Sequence, residues 1–246
     1  MLVDRYRDAE IILLNQEEVL VIACDSCGAI GIKEQDQVKA SHYIVGKYTA
    51  RVSLMEVLSL GAKVISLTVN ICNEPYPTGD EILKGIQSEL KTCNIEVPIT
   101  VSTEKNISTT MTALGVTVIG IGKRKDLKID RAVKQDFVYV FGIPKLGNEV
   151  VEDEGEITDT HVLLQLLKDP YIKEIIPVGS SGIQGEIEKL LRAKKLYMTY
   201  REDGSLDFNK SAGPCTAVIV ISERKLEESY GLPQNFIGKL EEYPSC

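Results

Sequence analysis

The sequence predicts an α+β protein of two domains, and three observations lead there. The first half alternates continuous apolar, β-branched runs with stretches of helical apolar spacing. A charged break, KRKDLKID at 123–130, follows the last of those runs. Beyond it, apolar strand-like runs and helical stretches resume. We therefore expect domains at 1–125 and 126–246, sizes within the usual range of about 100–200 residues each.

The elements of the first half follow in order. VLVIAC at 19–24 reads as a buried strand. From Ser41 to Leu60 apolar residues recur at helical spacing, and Gly61 stands where a helix commonly stops. KVISLTVNIC at 63–72 is the next strand. The Pro/Gly loop NEPYPTG ends it. Thr78 with Glu81 has the spacing of a capping box, so a helix is expected from near Gly79 to Lys91. VPITVST and LGVTVIGIG are two further strands, joined by the polar loop EKNISTT.

In the second half DFVYVFGIP is a strand ending in a Gly-Ile-Pro turn. A helix is expected from Thr158 to Asp169, with an acidic first turn. KEIIPV is a strand, and GSSGIQG leads from it into the helix EIEKLLRAKK. CTAVIVIS is a long apolar strand. Ser222 is expected to cap a helix over ERKLEES, and QNFIGKLEEY reads as the last strand.

Composition excludes several classes. Of 246 residues, 43% are hydrophobic, enough for a full core. The net charge of −8 argues against nucleic acid as a partner, since that affinity needs a basic surface. No apolar run approaches the ~20 residues of a membrane helix. MLVDRYRDAE has no apolar signal core, so a cytoplasmic protein is expected. Six cysteines are present: Cys24, Cys27, Cys72, Cys93, Cys215 and Cys246. Cys24 and Cys27 form a single C-x-x-C with no second ligand pair, and the two histidines are not at metal spacing.

Three carboxylates, Asp25, Glu56 and Glu104, each adjoin an apolar run that rigid structure would hold. Carboxylates gathered in that way suit Mg²⁺, which takes hard oxygen ligands. Glu56 lies in a mostly apolar helix. There it either needs a partner or faces out along an exposed stripe. EKNISTT at 104–110 carries an acid, a base, an amide and three hydroxyls. It is either a loop with chemistry or a solvated hairpin turn. NICNEPYPTG has the same two readings. GSSGIQGE at 179–186 is an anion site at a helix start or a tight turn using glycine. His42 is a base, a cap or a surface residue. KRKDLK is a linker or a phosphate contact.

The ordered segments resemble the superfamily of aminoimidazole ribonucleotide synthetase, thiamine-monophosphate kinase, selenophosphate synthetase and the hydrogenase-maturation dehydratase. LVIACDS matches its strand ending in Asp, at Asp25. SLMEVLSLGA matches its Asn-x-Ser-Asp helix, with Ser53 at the Asn position and Glu56 at the Asp position. STEKNISTTMTALGVTVIG matches its Gly-Gly-Asp-Thr loop and strand, with Glu104 at the Asp position. Ser180, Ser181 and Gly182 stand at its Ser-Asp-Gly turn, with Ser181 replacing the acid. Within the superfamily, TARVSLMEVLSLGA, VNICNEPYPTG and STEKNISTTMTALGVTVIG are most similar to the short α-ribazole kinases of cobalamin salvage.

The resemblance implies an N-terminal domain with a mixed or antiparallel sheet that binds ATP and Mg²⁺ and pairs in a homodimer. It also implies a C-terminal α/β sandwich domain. The implied activity is transfer of a phosphoryl group from ATP to the 5′-hydroxyl of α-ribazole, a small nucleoside. Asp25, Glu56 and Glu104 are the expected metal ligands. Lys105 is expected to stabilise the transferring group, and Asp25 or Glu104 to accept the hydroxyl proton. Asn70, Asn73 and Asn106, with Gly179, Ser180 and Ser181, are the expected nucleotide contacts. Tyr43, Tyr48 and Tyr76 are aromatics that would stack on a flat base or pack in the core. Two other readings share these features: a superfamily kinase or ligase for another metabolite, and a nucleotide-binding sensor without turnover.

Overall fold

The computed structural model describes residues 3–200, 206–227 and 230–243, and the chain forms two compact units that divide between Leu127 and Lys128. The first unit contains strands β1 (Val3–Tyr6), β2 (Ala9–Leu13), β3 (Glu18–Gly28), β4 (Ile30–Gly31) and β5 (Val38–Lys39). Helix α1 (His42–Ser59), β6 (Lys63–Ile71), helix α2 (Asp80–Thr92), β7 (Ile99–Thr103) and β8 (Ala113–Lys123) follow. Six of the strands make one sheet in the order β1-β2-β3-β8-β6-β7. Every pairing in it is antiparallel except β6 with β7, so the sheet is mixed. Strands β4 and β5 make a separate parallel pair.

Alternation along the strands shows which face is covered. Val19, Val21 and Ala23 of β3 and Val116 and Val118 of β8 are buried, while Cys24, Ser26 and Asn70 are exposed. Helix α1 lies on the buried face: the Ser53 hydroxyl donates to the Val116 carbonyl at 2.9 Å. The helix starts where expected, with the Ser41 hydroxyl accepting the Ile44 N–H. It stops at Gly61, whose φ of +79° is the left-handed conformation that glycine adopts without strain.

Helix α2 packs on α1 through bare backbone. A Cβ at Gly46 would run into the Ile82 carbonyl, and one at Gly85 into the Tyr43 carbonyl. Beside this crossing Arg51 binds both oxygens of Glu89, at 3.0 and 3.1 Å, in full burial. The expected capping box is not made. The Thr78 hydroxyl donates to Glu74 instead, and the wide turn Pro75–Gly79 precedes α2. The hairpin reading of EKNISTT also fails, because β8 lies between β3 and β6 and does not touch β7. Strands β1 and β2 were not expected, because polar residues interrupt them and, among the residues whose burial is described, Ala9 and Ile11 alone reach the core.

The second unit holds β9 (Phe137–Gly142), α3 (Asn148–Val151), α4 (Thr160–Leu166), β10 (Ile172–Pro177), α5 (Gly182–Lys194), β11 (Leu196–Tyr200), β12 (Ala217–Ser222) and β13 (Gln234–Glu242). Its sheet is antiparallel throughout, in the order β10-β12-β9-β13-β11. Ile183, Ile187 and Leu190 of α5 join Val138, Val140, Ile219 and Ile221 in one core. All of β12 is buried, which explains its unbroken apolar run. Helix α4 is shorter than expected, because Asp159 caps it by accepting the Val162 N–H at 2.8 Å. No helix forms over residues 223–227, where the Ser222 hydroxyl takes the Arg224 N–H in a bend. The rest of that expected helix lies outside the described residues. Among the described residues, no helix is long and apolar enough to cross a membrane.

Candidate functional site

Register brings three loops to one end of the first sheet. Gly28 pairs with Ala113, Cys27 and Ile71 both align with Leu114, and Ile71 aligns with Thr103. Strands β3, β6 and β7 therefore end, and β8 begins, in one row. The segments 29–41, 72–79 and 104–112 all leave or enter there.

A buried carboxylate ties the first of these loops to the third. Asp36 accepts the Thr112 N–H at 2.8 Å, the Thr112 hydroxyl at 2.6 Å and the Lys33 N–H at 2.8 Å. Burial works to raise the Asp36 carboxyl, but these donors outweigh it and hold the group below the usual carboxylate range. A Cβ at Gly31 would strike both the Thr112 hydroxyl and the Asp36 carboxylate, so the glycine leaves room for the pair. Thr112 gives its one hydroxyl proton to Asp36. The ring nitrogen of His42, 3.1 Å away, is then the donor to it. Burial lowers the His42 pKa and Lys33 adds to this, against the opposing charges of Asp36, Glu74 and Glu81.

The second loop joins through Lys33 and Asn73. Lys33 Nζ donates to Glu74 at 2.7 Å and to the Thr109 carbonyl at 3.1 Å. Burial would raise Glu74, but Lys33 and Thr78 hold it low. Asn73 is fully buried. Its amide group donates to the Thr109 hydroxyl at 2.6 Å and the Met111 carbonyl at 2.8 Å, and its oxygen accepts the Ala113 N–H at 2.9 Å.

Glu104 begins the third loop. Its N–H donates to the carbonyls of Ile71 and Asn73. Its carboxylate accepts the N–H groups of Asn106, at 2.7 Å, and Ile107, at 3.0 Å, which hold its pKa low. Lys105 and Asn106 are exposed beside it. Asn70 is exposed on the uncovered face of β6.

Asp25 lies on the helix-covered face of β3, half-buried. Burial pushes its carboxyl up to about 6; the Ser26 N–H opposes this and Asp8 adds to it. Its register partner is Val116, the residue to which Ser53 of α1 bonds. The helical turn from Ser53 to Glu56 thus lies over the strand pair that carries Asp25, with Glu56 half-buried. Asp25 and Glu104 are not neighbours. Their strands are separated by β8 and β6, three interstrand spacings or about 14 Å. Among the described residues, no group of three or more His, Cys, Asp or Glu side chains is arranged to hold a metal ion.

The Gly179–Ser181 turn belongs to the second unit. Its helix α5 uses its first amides internally: Gly182 N–H donates to the Gly179 carbonyl and Gln184 N–H to the Phe208 carbonyl. The Ser181 hydroxyl donates to Glu186 at 2.5 Å, and Lys189 reaches both. Ser180 is exposed.

Sequence reasoning missed Lys33, Asp36 and Thr112. Asp36 and Thr112 are 76 residues apart, and no spacing rule links them. The available signal was the segment GIKEQD, where a glycine and three charged residues come shortly after a long apolar strand.

The two units, a mixed sheet backed by two helices and an antiparallel sheet with its own core, share their fold with several solved structures. Residues 6–121 match the family model of the AIR synthase related protein, N-terminal domain. Three similar structures illustrate the likeness. The HypE–HypF complex gives a TM-score of 0.65 at 16% identity, over 96% of this chain and 87% of that one. AaThiL complexed with AMPPCP and TMP gives 0.61 at 14% identity, over 96% and 85%. Thermotoga maritima PurL complexed with ATP gives 0.59 at 14% identity, over 95% of this chain but only 37% of that one. At such identities the likeness establishes the fold. No curated protein matches the chain in sequence.

Proposed function

We propose that this protein is a cytoplasmic ATP-dependent kinase that phosphorylates the 5′-hydroxyl of α-ribazole. One observation carries the reading. The domain that matches the AIR synthase-related model carries Asp25, Glu56 and Glu104, which the resemblance sets at the family's acidic positions, and proteins of similar fold were solved with ATP or AMPPCP. The likeness of TARVSLMEVLSLGA, VNICNEPYPTG and STEKNISTTMTALGVTVIG to α-ribazole kinases supplies the substrate.

The donor chemistry fits Mg²⁺, which is commonly held by one or two carboxylates together with substrate phosphates. Strands β8 and β6 stand between the strand of Asp25 and the one that Glu104 follows, which favours separate roles for the two acids. Each would therefore work with phosphate oxygens, Asp25 together with Glu56. Bound there, the ion would neutralise charge on the transferring phosphoryl group.

The remaining roles belong to this chain's own side chains. Asp25 or Glu104 would accept the hydroxyl proton, whichever is not holding the ion. Lys105 would face the transferring group, with Asn70 and Asn106 as phosphate contacts. Asn73 has its side chain fully engaged and would position the loop without touching the nucleotide. Within the second unit, Ser181 is bound to Glu186 and Lys189, so the exposed Ser180 is the hydroxyl of that turn left to meet a ligand. Tyr76, 75% exposed, suits stacking on the acceptor's ring, whereas Tyr48 lies under the Arg51 guanidinium. The exposed Cys24, Ser26 and Asn70 on the uncovered sheet face support pairing with a second copy.

A second reading is a kinase or ligase for another small metabolite, favoured by the comparable likeness to HypE, ThiL and PurL. One assay separates them. The purified protein is incubated with ATP, Mg²⁺ and α-ribazole, and products are followed by chromatography and mass spectrometry. A 5′-phosphate that needs all three components is expected. ADP formation only with a different acceptor would move the second reading ahead.

A further inference from the structure

We infer that Lys33 and Glu74 are positioning residues that hold the 104–112 loop, and the Glu104 carboxylate with it, in working shape. This rests on the kinase reading for its catalytic consequence but not for its structural one.

The loop hangs between two fixed ends. At its start, the Glu104 N–H is bound to the Ile71 and Asn73 carbonyls. At its finish, Thr109 is held twice: its hydroxyl by Asn73 at 2.6 Å and its carbonyl by Lys33 at 3.1 Å. Between them Lys105, Asn106, Ile107 and Ser108 are exposed, and the Glu104 carboxylate gathers the amides of Asn106 and Ile107.

Lys33 is the cross-link between all three loops. Its backbone N–H is fixed by Asp36, so its Cα cannot drift. Its ammonium spans 41 residues to Glu74 and 76 residues to Thr109. The side chain is only 15% exposed, so water replaces these bonds poorly. Glu74 is itself steadied by the Thr78 hydroxyl and adjoins Asn73. Removing the ammonium would leave the Thr109 carbonyl without this donor and Glu74 without its cation. The loop would then lose one of the two ties on Thr109. Misplacing a reacting group by about 1 Å costs roughly 100-fold in rate.

The test uses Lys33→Met, which keeps the aliphatic stem, Lys33→Arg, which keeps the charge, and Glu74→Gln. Hydrogen exchange of the Asn106 and Ile107 amides is measured on the protein alone. Loss of one charge-assisted bond should speed their exchange about tenfold in Lys33→Met, with Lys33→Arg close to wild type and Glu74→Gln between. In the phosphorylation assay kcat should fall roughly 100-fold for Lys33→Met, with the KM for ATP changed less than about threefold. Wild-type exchange at both amides in well-folded Lys33→Met and Glu74→Gln overturns the inference, whatever happens to kcat. A wild-type protein inactive on every acceptor rejects the kinase reading while leaving the exchange result to decide this one.

Discussion

The carboxylate of Asp36 accepts both the backbone N–H and the hydroxyl of Thr112, 76 residues further along, at 2.8 and 2.6 Å. Both residues are at least 96% buried, at 4% and 0% exposure. The pair clamps the 29–41 loop to the residue just before β8, at the end of the loop that carries Glu104. Its value depends on both partners, because a buried acceptor that loses its donor keeps the full cost of desolvation.

Thr112→Val should therefore destabilise the protein by about 1–3 kcal/mol, although it adds an apolar methyl at a buried strand end. Chemical denaturation of the variant against wild type checks this. An unchanged midpoint would mean that Asp36 finds a replacement donor.

His42 gives the fold a pH dependence with a definite sign. Its folded pKa is lowered below the ordinary 6.5, mainly by burial, so the folded state favours the neutral ring. The unfolded chain then binds the proton more readily. Stability is complete above pH 6.5 and falls as pH drops through 6.5 toward the lowered value. His42→Gln should flatten that part of the curve, measured as thermal midpoint between pH 7 and pH 5.

Arg51 and Glu89 join α1 to α2 in full burial, at 5% and 0% side-chain exposure. Removing one partner leaves a charge without its counterion, so Arg51→Met should cost about 3–5 kcal/mol. The double variant Arg51→Met, Glu89→Leu should recover most of that loss. A double variant less stable than Arg51→Met would reject the argument.

Glu104→Gln should leave the fold intact, since the side chain is only half-buried and the amide oxygen still accepts the Asn106 N–H. Turnover should fall about 100-fold or more if the carboxylate serves the transferring phosphoryl group. Unchanged kcat in the folded variant would remove Glu104 from the site.

Much of the architecture was legible because it rests on local pattern. Ser41 and Gly61 bound α1 as their capping chemistry predicts. The β-branched, largely apolar runs of β6, β8, β9 and β12 are strands buried on at least one face. Thr78 shows the limit of local rules. Its spacing to Glu81 suits a capping box, but Glu74 lies closer once the Pro75–Gly79 turn is formed, and the hydroxyl bonds there. The expected helix after Ser222 is absent over residues 223–227 for a similar reason: a cap residue and good helix formers cannot build a helix without an apolar face to pack.

The sequence by itself determined most of the core strands and helices, where α1 starts and stops, and that acids stand at 25, 56 and 104. Those features depend on side-chain periodicity and neighbouring residues, which are written in order along the chain. The tertiary structure alone decided that β8 inserts between β3 and β6. That insertion sets Asp25 and Glu104 about three strand spacings apart. It also joins Lys33, Asp36, Glu74 and Thr112 in one network. Strand order and buried long-range hydrogen bonds depend on which distant surfaces bury each other, and no spacing between neighbouring residues encodes that choice.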